Sequence, residues 1–168
     1  MKVLVVSSNG GHFNQIRFAL GLLRDEQVTL VSFDTVDVRA VIEADFPGLP
    51  VVWAHHPTNR NVRNLFRNFL LAWGVVRRQQ PDLVLSPGAG VAVPFIILGH
   101  FLGSRTAFIE VFDRVDSKTL TGRMVAPFCD YILLQHASQL KLYPTGIVVG
   151  GLLWSSSLSV PIDKRWTG

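Results

Sequence analysis

The sequence predicts an α/β domain, a Rossmann-like doubly wound parallel sheet. Three observations carry that prediction. Short runs rich in valine, isoleucine and leucine recur along the chain. Longer stretches with helical spacing separate most of them. The runs are apolar almost throughout rather than alternating, as strands covered on both faces require.

The first strand is "KVLVV" (2–6), which enters the turn "SSNGGH" (7–12) and then a helix, "HFNQIRFALGLLRD" (12–25). The second and third strands are "VTLVSF" (28–33) and "VVWAH" (51–55). A basic helix, "RNVRNLFRNFLLAWGVVRRQQ" (60–80), leads to the fourth, "DLVLS" (82–86). The most apolar stretch, "VAVPFIILGHFLG" (91–103), falls short of the roughly 18 apolar residues of a spanning helix. With Pro94, His100 and two glycines inside it, it reads as a buried or membrane-contacting helix. The remaining strands are "TAFIEV" (106–111), "DYILL" (130–134) and "GIVVG" (146–150). Residues 1–153 thus form one domain, and the tail from Trp154 to Gly168 loses the pattern. It reads as a loose end or as an arm in which Trp154 and Trp166 dock onto a partner.

A chain of 168 residues suits one such domain and buries a sizeable core. Hydrophobic residues make up 48% and charged residues only 17%, against roughly 25% charged in a typical soluble domain. Some apolar surface is therefore expected to be covered by a partner or a lipid face. The net charge of +4 and a pI near 9.7 favour anionic partners. Cys129 is the single cysteine, so no disulfide within the chain and no thiolate zinc site is expected. Its setting in "APFCDYILL" reads as packing. The apolar run after Lys2 breaks at Ser7, too early for a signal peptide.

In doubly wound sheets the ligand lies beyond the carboxyl ends of the strands, so the loops there are the candidates. In the first, Asn9, Gly10 and Gly11 precede a helix whose free amides and positive dipole end suit a phosphate. The spacing is neither GxGxxG nor GxxxxGK[ST], and a plain tight turn remains the other reading. The second loop, "SPGAG", brings Ser86, Gly88 and Gly90 to the same edge, for a ligand or only for close helix packing. The third, "EVFDRVDSKTLTG" (110–122), concentrates charge in a charge-poor chain. Glu110 at a strand end suits a general base or a sugar's hydrogen-bond partner, and Arg114 and Lys118 suit a phosphate. Alternatively, Asp116 or Ser117 caps a helix and the charges are solvated. His55 and His56 are adjacent and point apart on a strand, so no shared metal is expected.

The basic helix bears on surface contacts. Val62, Leu65, Phe66, Phe69, Trp73 and Val76 recur at helical spacing, with Arg60, Arg63 and Arg67 near the start and Arg77 and Arg78 near the end. Arg63, Phe66, Arg67 and Trp73 are the expected contacts to an anionic leaflet. The alternative is a crossover helix that packs Leu65, Phe69 and Val76 on the sheet with its arginines in water.

"SSNGGH", "SPGAG", "EVFDRVDSKTLTG" and "LLQHASQLKLYPTGIVVGGLL", in this order, resemble the acceptor-side subunit of split GT-B glycosyltransferases. One branch of that family is the Alg14-like, membrane-associated subunit of the eukaryotic two-part N-acetylglucosaminyltransferase. The bacterial branch is the PssD-type subunit of capsule and exopolysaccharide synthesis. The resemblance spans roughly residues 2–153 and implies the N-terminal Rossmann-like half of a GT-B enzyme. A separate PssE-type subunit would bind the UDP-sugar, a co-substrate, and no other cofactor or metal is implied. The acceptor would be a polyprenyl-diphosphate-linked sugar, and nucleic acid is not an implied partner. The glycine turn also resembles the acceptor loop of the peptidoglycan lipid I N-acetylglucosaminyltransferase. Carried over, Gly10 and Gly11 would meet the diphosphate. His12 would act on the reacting hydroxyl, since histidine as a residue type exchanges protons near neutral pH. Ser86, Gly88 and Gly90 would line the second loop, and Glu110 and Arg114 would face the cleft. This chain opens without the N-terminal spanning segment of the eukaryotic branch, so peripheral attachment at the cytoplasmic face of the inner membrane is expected. Two other functions stay open: a membrane recruitment module without chemistry of its own, and a stand-alone nucleotide-binding domain.

Overall fold

A computed structural model describes residues 1–58 and 61–151. Arg60, which the sequence places at the start of the basic helix, and the tail with Trp154 and Trp166 lie outside the described residues. Among those described, seven strands form one parallel sheet: β1 (Lys2–Val6), β2 (Gln27–Phe33), β3 (Val51–Ala54), β4 (Leu83–Ser86), β5 (Arg105–Ile109), β6 (Tyr131–Leu134) and β7 (Ile147–Val148). Their order is β3-β2-β1-β4-β5-β6-β7. The order reverses between β1 and β4, which pair in parallel with Val3 beside Leu83 and Val5 beside Leu85. That reversal opens a crevice at the carboxyl ends of β1 and β4.

Helices cover both faces. α1 (Gly11–Leu22) and α2 (Val36–Asp45) pack on the face presented by Val3, Val5 and Leu30. α3 (Val62–Gln79), α4 (Ala92–Phe101) and α5 (Leu120–Val125) cover the opposite face, presented by Leu4, Val6, Val31 and Phe108. Burial on both sides explains why the strand sequences do not alternate. α4 settles its own question: Ala92, Val93, Pro94, Phe95, Ile96, Leu98 and Gly99 are buried, and only its end, at His100 and Phe101, is exposed. Gly99 is required there, because a Cβ would lie 2.7 Å from Val84 Cγ2.

α3 follows the alternative crossover packing only in part. Ala72, Val75 and Val76 face the sheet, but so do Asn64 and Asn68. Asn68 accepts from the His55 amide and donates to the His55 carbonyl, both at 2.8 Å. Asn64 Nδ2 donates to the Pro57 carbonyl at 2.9 Å. The two side chains clamp the strand-like segment after β3, and this satisfies groups that burial would otherwise penalise. Leu65 and Phe69, which the alternative reading packs on the sheet, are instead 42% exposed each, because the asparagines hold the inner face.

Cys129 is half-buried beside the α4–α5 core, and burial, with the Asp130 charge next to it, pushes its thiol up to about 12.

Candidate functional site

Two turns meet at the crevice. After β1 the Ser7 amide continues the ladder to the Val31 carbonyl at 2.9 Å, and Ser7 and Ser8 are buried. The chain then surfaces at Asn9, Gly10 and Gly11. Gly10 has φ 67°, a left-handed geometry that glycine adopts without cost, and no side chain caps α1. The first amides of α1 are therefore left for water or a ligand. The Gly10 amide has a neighbour. The Thr35 side chain, and further the amides of Asp37, Val38 and Gly10, hold the Asp37 carboxyl below its ordinary value.

Across the crevice the turn after β4 is tightly built. Ser86 is buried, and its Oγ accepts from the Gly88 amide at 3.0 Å. Ser86 thus shapes the turn from inside rather than lining it. Gly88 has φ 114° and Ala89 φ 71°. A left-handed alanine costs about 1–3 kcal/mol, and such geometries cluster at ligand sites. No side chain caps α4 either. Gly90 abuts the segment after β3, where a Cβ would lie 3.4 Å from Thr58 Oγ1.

His12 joins the two turns. Its Nδ1 lies 3.1 Å from the Pro87 carbonyl oxygen, and a Cβ on Gly88 would stand 3.3 Å from His12 Cε1. The ring is half-buried, with Asn9, Gly10 and Gly11 exposed beside it.

The third loop corrects two expectations. Glu110 does not face the crevice: it is fully buried beneath its own loop. Oε1 accepts from the Val111 amide at 3.1 Å, and Oε2 accepts from Tyr143 Oη at 2.6 Å and the Thr119 amide at 3.4 Å. Burial, then the bond to Glu110, raises the Tyr143 phenol well above its ordinary range. A carboxylate so enclosed is a structural anchor with no path to a hydroxyl proton. The helix cap is Thr119, whose Oγ1 accepts from the Gly122 amide at 3.0 Å, not Asp116 or Ser117. Arg114 is exposed, and its guanidinium makes no ion pair among the described residues. Lys118 lies 4.4 Å over the Tyr143 ring.

The expected membrane contacts lie together on α3. Arg63, Phe66, Arg67 and Trp73 are all exposed, Phe66 by 63%. Leu65, Phe69 and Leu70 widen the same surface, and Arg77 lies 5.8 Å over the Trp73 ring. α3 begins where the segment after β3 meets Gly90, so its outer face descends from the rim of the crevice. Among the described residues, no helix is long and apolar enough to cross a membrane. Sequence reasoning missed Gln139 and Tyr143, whose bonds to Val111, Arg114 and Glu110 span 25 to 33 residues. It also missed Asn64 and Asn68, which a search for polar residues four apart on an apolar helix would have found.

Fold and rim together define a Rossmann-like α/β domain with two glycine turns meeting at its switch point. The profile of the family described as "Oligosaccharide biosynthesis protein Alg14 like" matches residues 55–152. The chain belongs to that family. It is 23% identical to the mouse UDP-N-acetylglucosamine transferase subunit ALG14, over 91% of this chain and 83% of that one. It is 26% identical to the Schizosaccharomyces pombe subunit of the same name, over 88% of this chain and 81% of that one. Among solved structures it is similar to Acinetobacter baumannii MurG, with a TM-score of 0.67 and 14% identity, over 82% of this chain. The chain spans only 42% of that structure.

Proposed function

We propose that this chain is the acceptor-binding, membrane-associating subunit of a two-component UDP-sugar-dependent glycosyltransferase. The acceptor is a polyprenyl-diphosphate-linked sugar, at the cytoplasmic face of the inner membrane, in bacterial polysaccharide synthesis. A second, PssE-type polypeptide binds most of the UDP-sugar and completes the cleft. One observation carries the reading. Two uncapped turns, joined by His12, face each other at the switch point, and the exposed apolar face of α3 descends from their rim.

The chemistry follows from that arrangement. The free amides after Gly10 and Gly11, with Asn9 beside them, and the turn at Gly88 and Gly90 hold the diphosphate. Arg114 supplies a cation from the next loop. The acceptor hydroxyl attacks the sugar's anomeric carbon, the bond to the UDP oxygen breaks, and the hydroxyl proton passes to His12. A carbonyl only accepts, so the bond to Pro87 places the proton on Nδ1 and leaves the Nε2 lone pair to act as base. Arg63, Phe66, Arg67 and Trp73 seat the subunit on the leaflet.

The test is an assay of the chain alone and with a candidate donor-binding partner, using UDP-sugars and a lipid-linked acceptor. Activity only in the mixture, abolished by His12→Ala with assembly intact, is the expected result. Full activity of His12→Ala would reduce this chain to a recruitment module, and tight nucleotide binding by the chain alone would make it a nucleotide-binding domain.

A further inference from the structure

The charged loop after β5 is held from beneath by buried amides. Gln139 lies in the 3-10 turn Ala137–Lys141 and is fully buried. Its Nε2 donates to the Val111 carbonyl at 2.7 Å and the Arg114 carbonyl at 3.1 Å. Its Oε1 accepts from the Gln135 amide at 2.9 Å and the His136 amide at 3.2 Å. Every hydrogen-bonding site of the primary amide is thereby used. Gln135 Nε2 donates to the Glu110 carbonyl at 2.9 Å and reaches Gln15 Oε1 at 3.3 Å. Gln15 is buried on α1, three residues beyond His12. A chain of side-chain amides thus runs under the site, from the helix that bears His12 to the loop that bears Arg114.

An exposed loop with an unpaired cation would ordinarily sample many conformations. Here its backbone is tied at both ends and in the middle: at Val111 and Arg114 by Gln139, and at Val111 and Thr119 by Glu110. Such buried polar networks specify one arrangement when fully satisfied.

We propose that Gln139 is a positioning residue: through the Val111 and Arg114 carbonyls it presents the Arg114 guanidinium to the diphosphate of the acceptor. The identity of that ligand rests on the function proposed above; the hold on the loop does not. Two variants separate its two jobs. Gln139→Glu keeps oxygens for the Gln135 and His136 amides but loses both donors to the loop. Gln139→Met loses both sets.

The experiment pairs amide hydrogen exchange with binding of the whole chain to anionic vesicles, with and without polyprenyl diphosphate. Gln139→Glu should speed exchange at 111–118 about tenfold and leave β1, β4 and β5 unchanged. It should also lose most of the binding increment that the diphosphate lipid adds, at least fivefold, while binding to plain anionic vesicles stays the same. Arg114→Ala, an exposed change that leaves the fold untouched, should remove the same increment, and adding Gln139→Glu to it should remove no more. Unchanged exchange at 111–118, or a full increment despite faster exchange, would overturn the positioning role. A wild-type chain that binds equally with and without the lipid would instead overturn the acceptor reading, with the exchange result still standing.

Discussion

His12 Nδ1 and the Pro87 carbonyl oxygen stand 3.1 Å apart across the gap between the turns after β1 and β4. The contact does two things at once: it ties the turns together, and it fixes which ring nitrogen carries the proton.

Those roles separate by substitution. An asparagine amide reaches about as far as Nδ1 and keeps the tie to Pro87, but offers nothing at Nε2. We expect His12→Asn and His12→Ala to lower turnover equally, by about 100- to 10,000-fold, as removal of a general base does. Thermal unfolding should place His12→Asn closer to wild type. An active His12→Asn would show that the tie alone matters.

The outer face of α3 makes a second prediction. Phe66→Ser with Trp73→Ser removes two exposed aromatics that pack on nothing in the core. Sedimentation with anionic vesicles should show at least a tenfold loss of binding, since each buried aromatic contributes roughly 1.5–3 kcal/mol. The melting temperature should stay within about 2 °C of wild type.

Gly122 sits over the Glu110 anchor. A Cβ there would lie 2.8 Å from Glu110 Oε2 and closer still to Tyr143 Oη. Gly122→Ala should therefore destabilise by about 1–3 kcal/mol in denaturant titration, despite the better helix propensity of alanine.

Cys129 should be nearly inert in the native state. With its thiol pushed up to about 12 by burial and the Asp130 charge, almost no thiolate exists at pH 8. Iodoacetamide should label it at least a hundredfold faster in denaturant than in buffer. Rapid native labelling would contradict the packing described.

Asp130 sets a pH dependence. Burial alone would raise its carboxyl, but hydrogen bonds from the Thr106 amide at 2.8 Å, Arg105 at 3.1 Å and the Thr106 hydroxyl at 3.1 Å lower it overall. A lowered native value means stability that is present above the unfolded carboxyl range and lost as pH falls through the native one. Asp130→Asn should cost about 1–2 kcal/mol at pH 7. The gap to wild type should begin to close below about pH 4, the unfolded aspartate range, and vanish below the lowered native value.

The sheet was legible in the sequence because strands covered on both faces must be apolar at nearly every position, and the runs from Lys2 to Val148 are. The rim was legible too, since topology alone sends the turns at Gly10 and Gly88 to one edge. The direction of Glu110 was not. A residue one step past a strand can turn either way, and its turning inward depends on Tyr143, 33 residues on. The inner face of α3 was not legible for a different reason. Apolar periodicity marks a stripe without saying what it meets, and here Asn64 and Asn68 take the inner place usually held by such a stripe.

That exchange of places on α3 frees one property from another. The helix is fastened to its neighbours by two amide clamps and by Leu71, Ala72, Val75 and Val76, so its aromatic and basic exterior is largely released from holding the fold. Over evolutionary time that exterior can be rewritten, residue by residue, for different contacts, while the rim at the carboxyl ends of β1 and β4 keeps its shape.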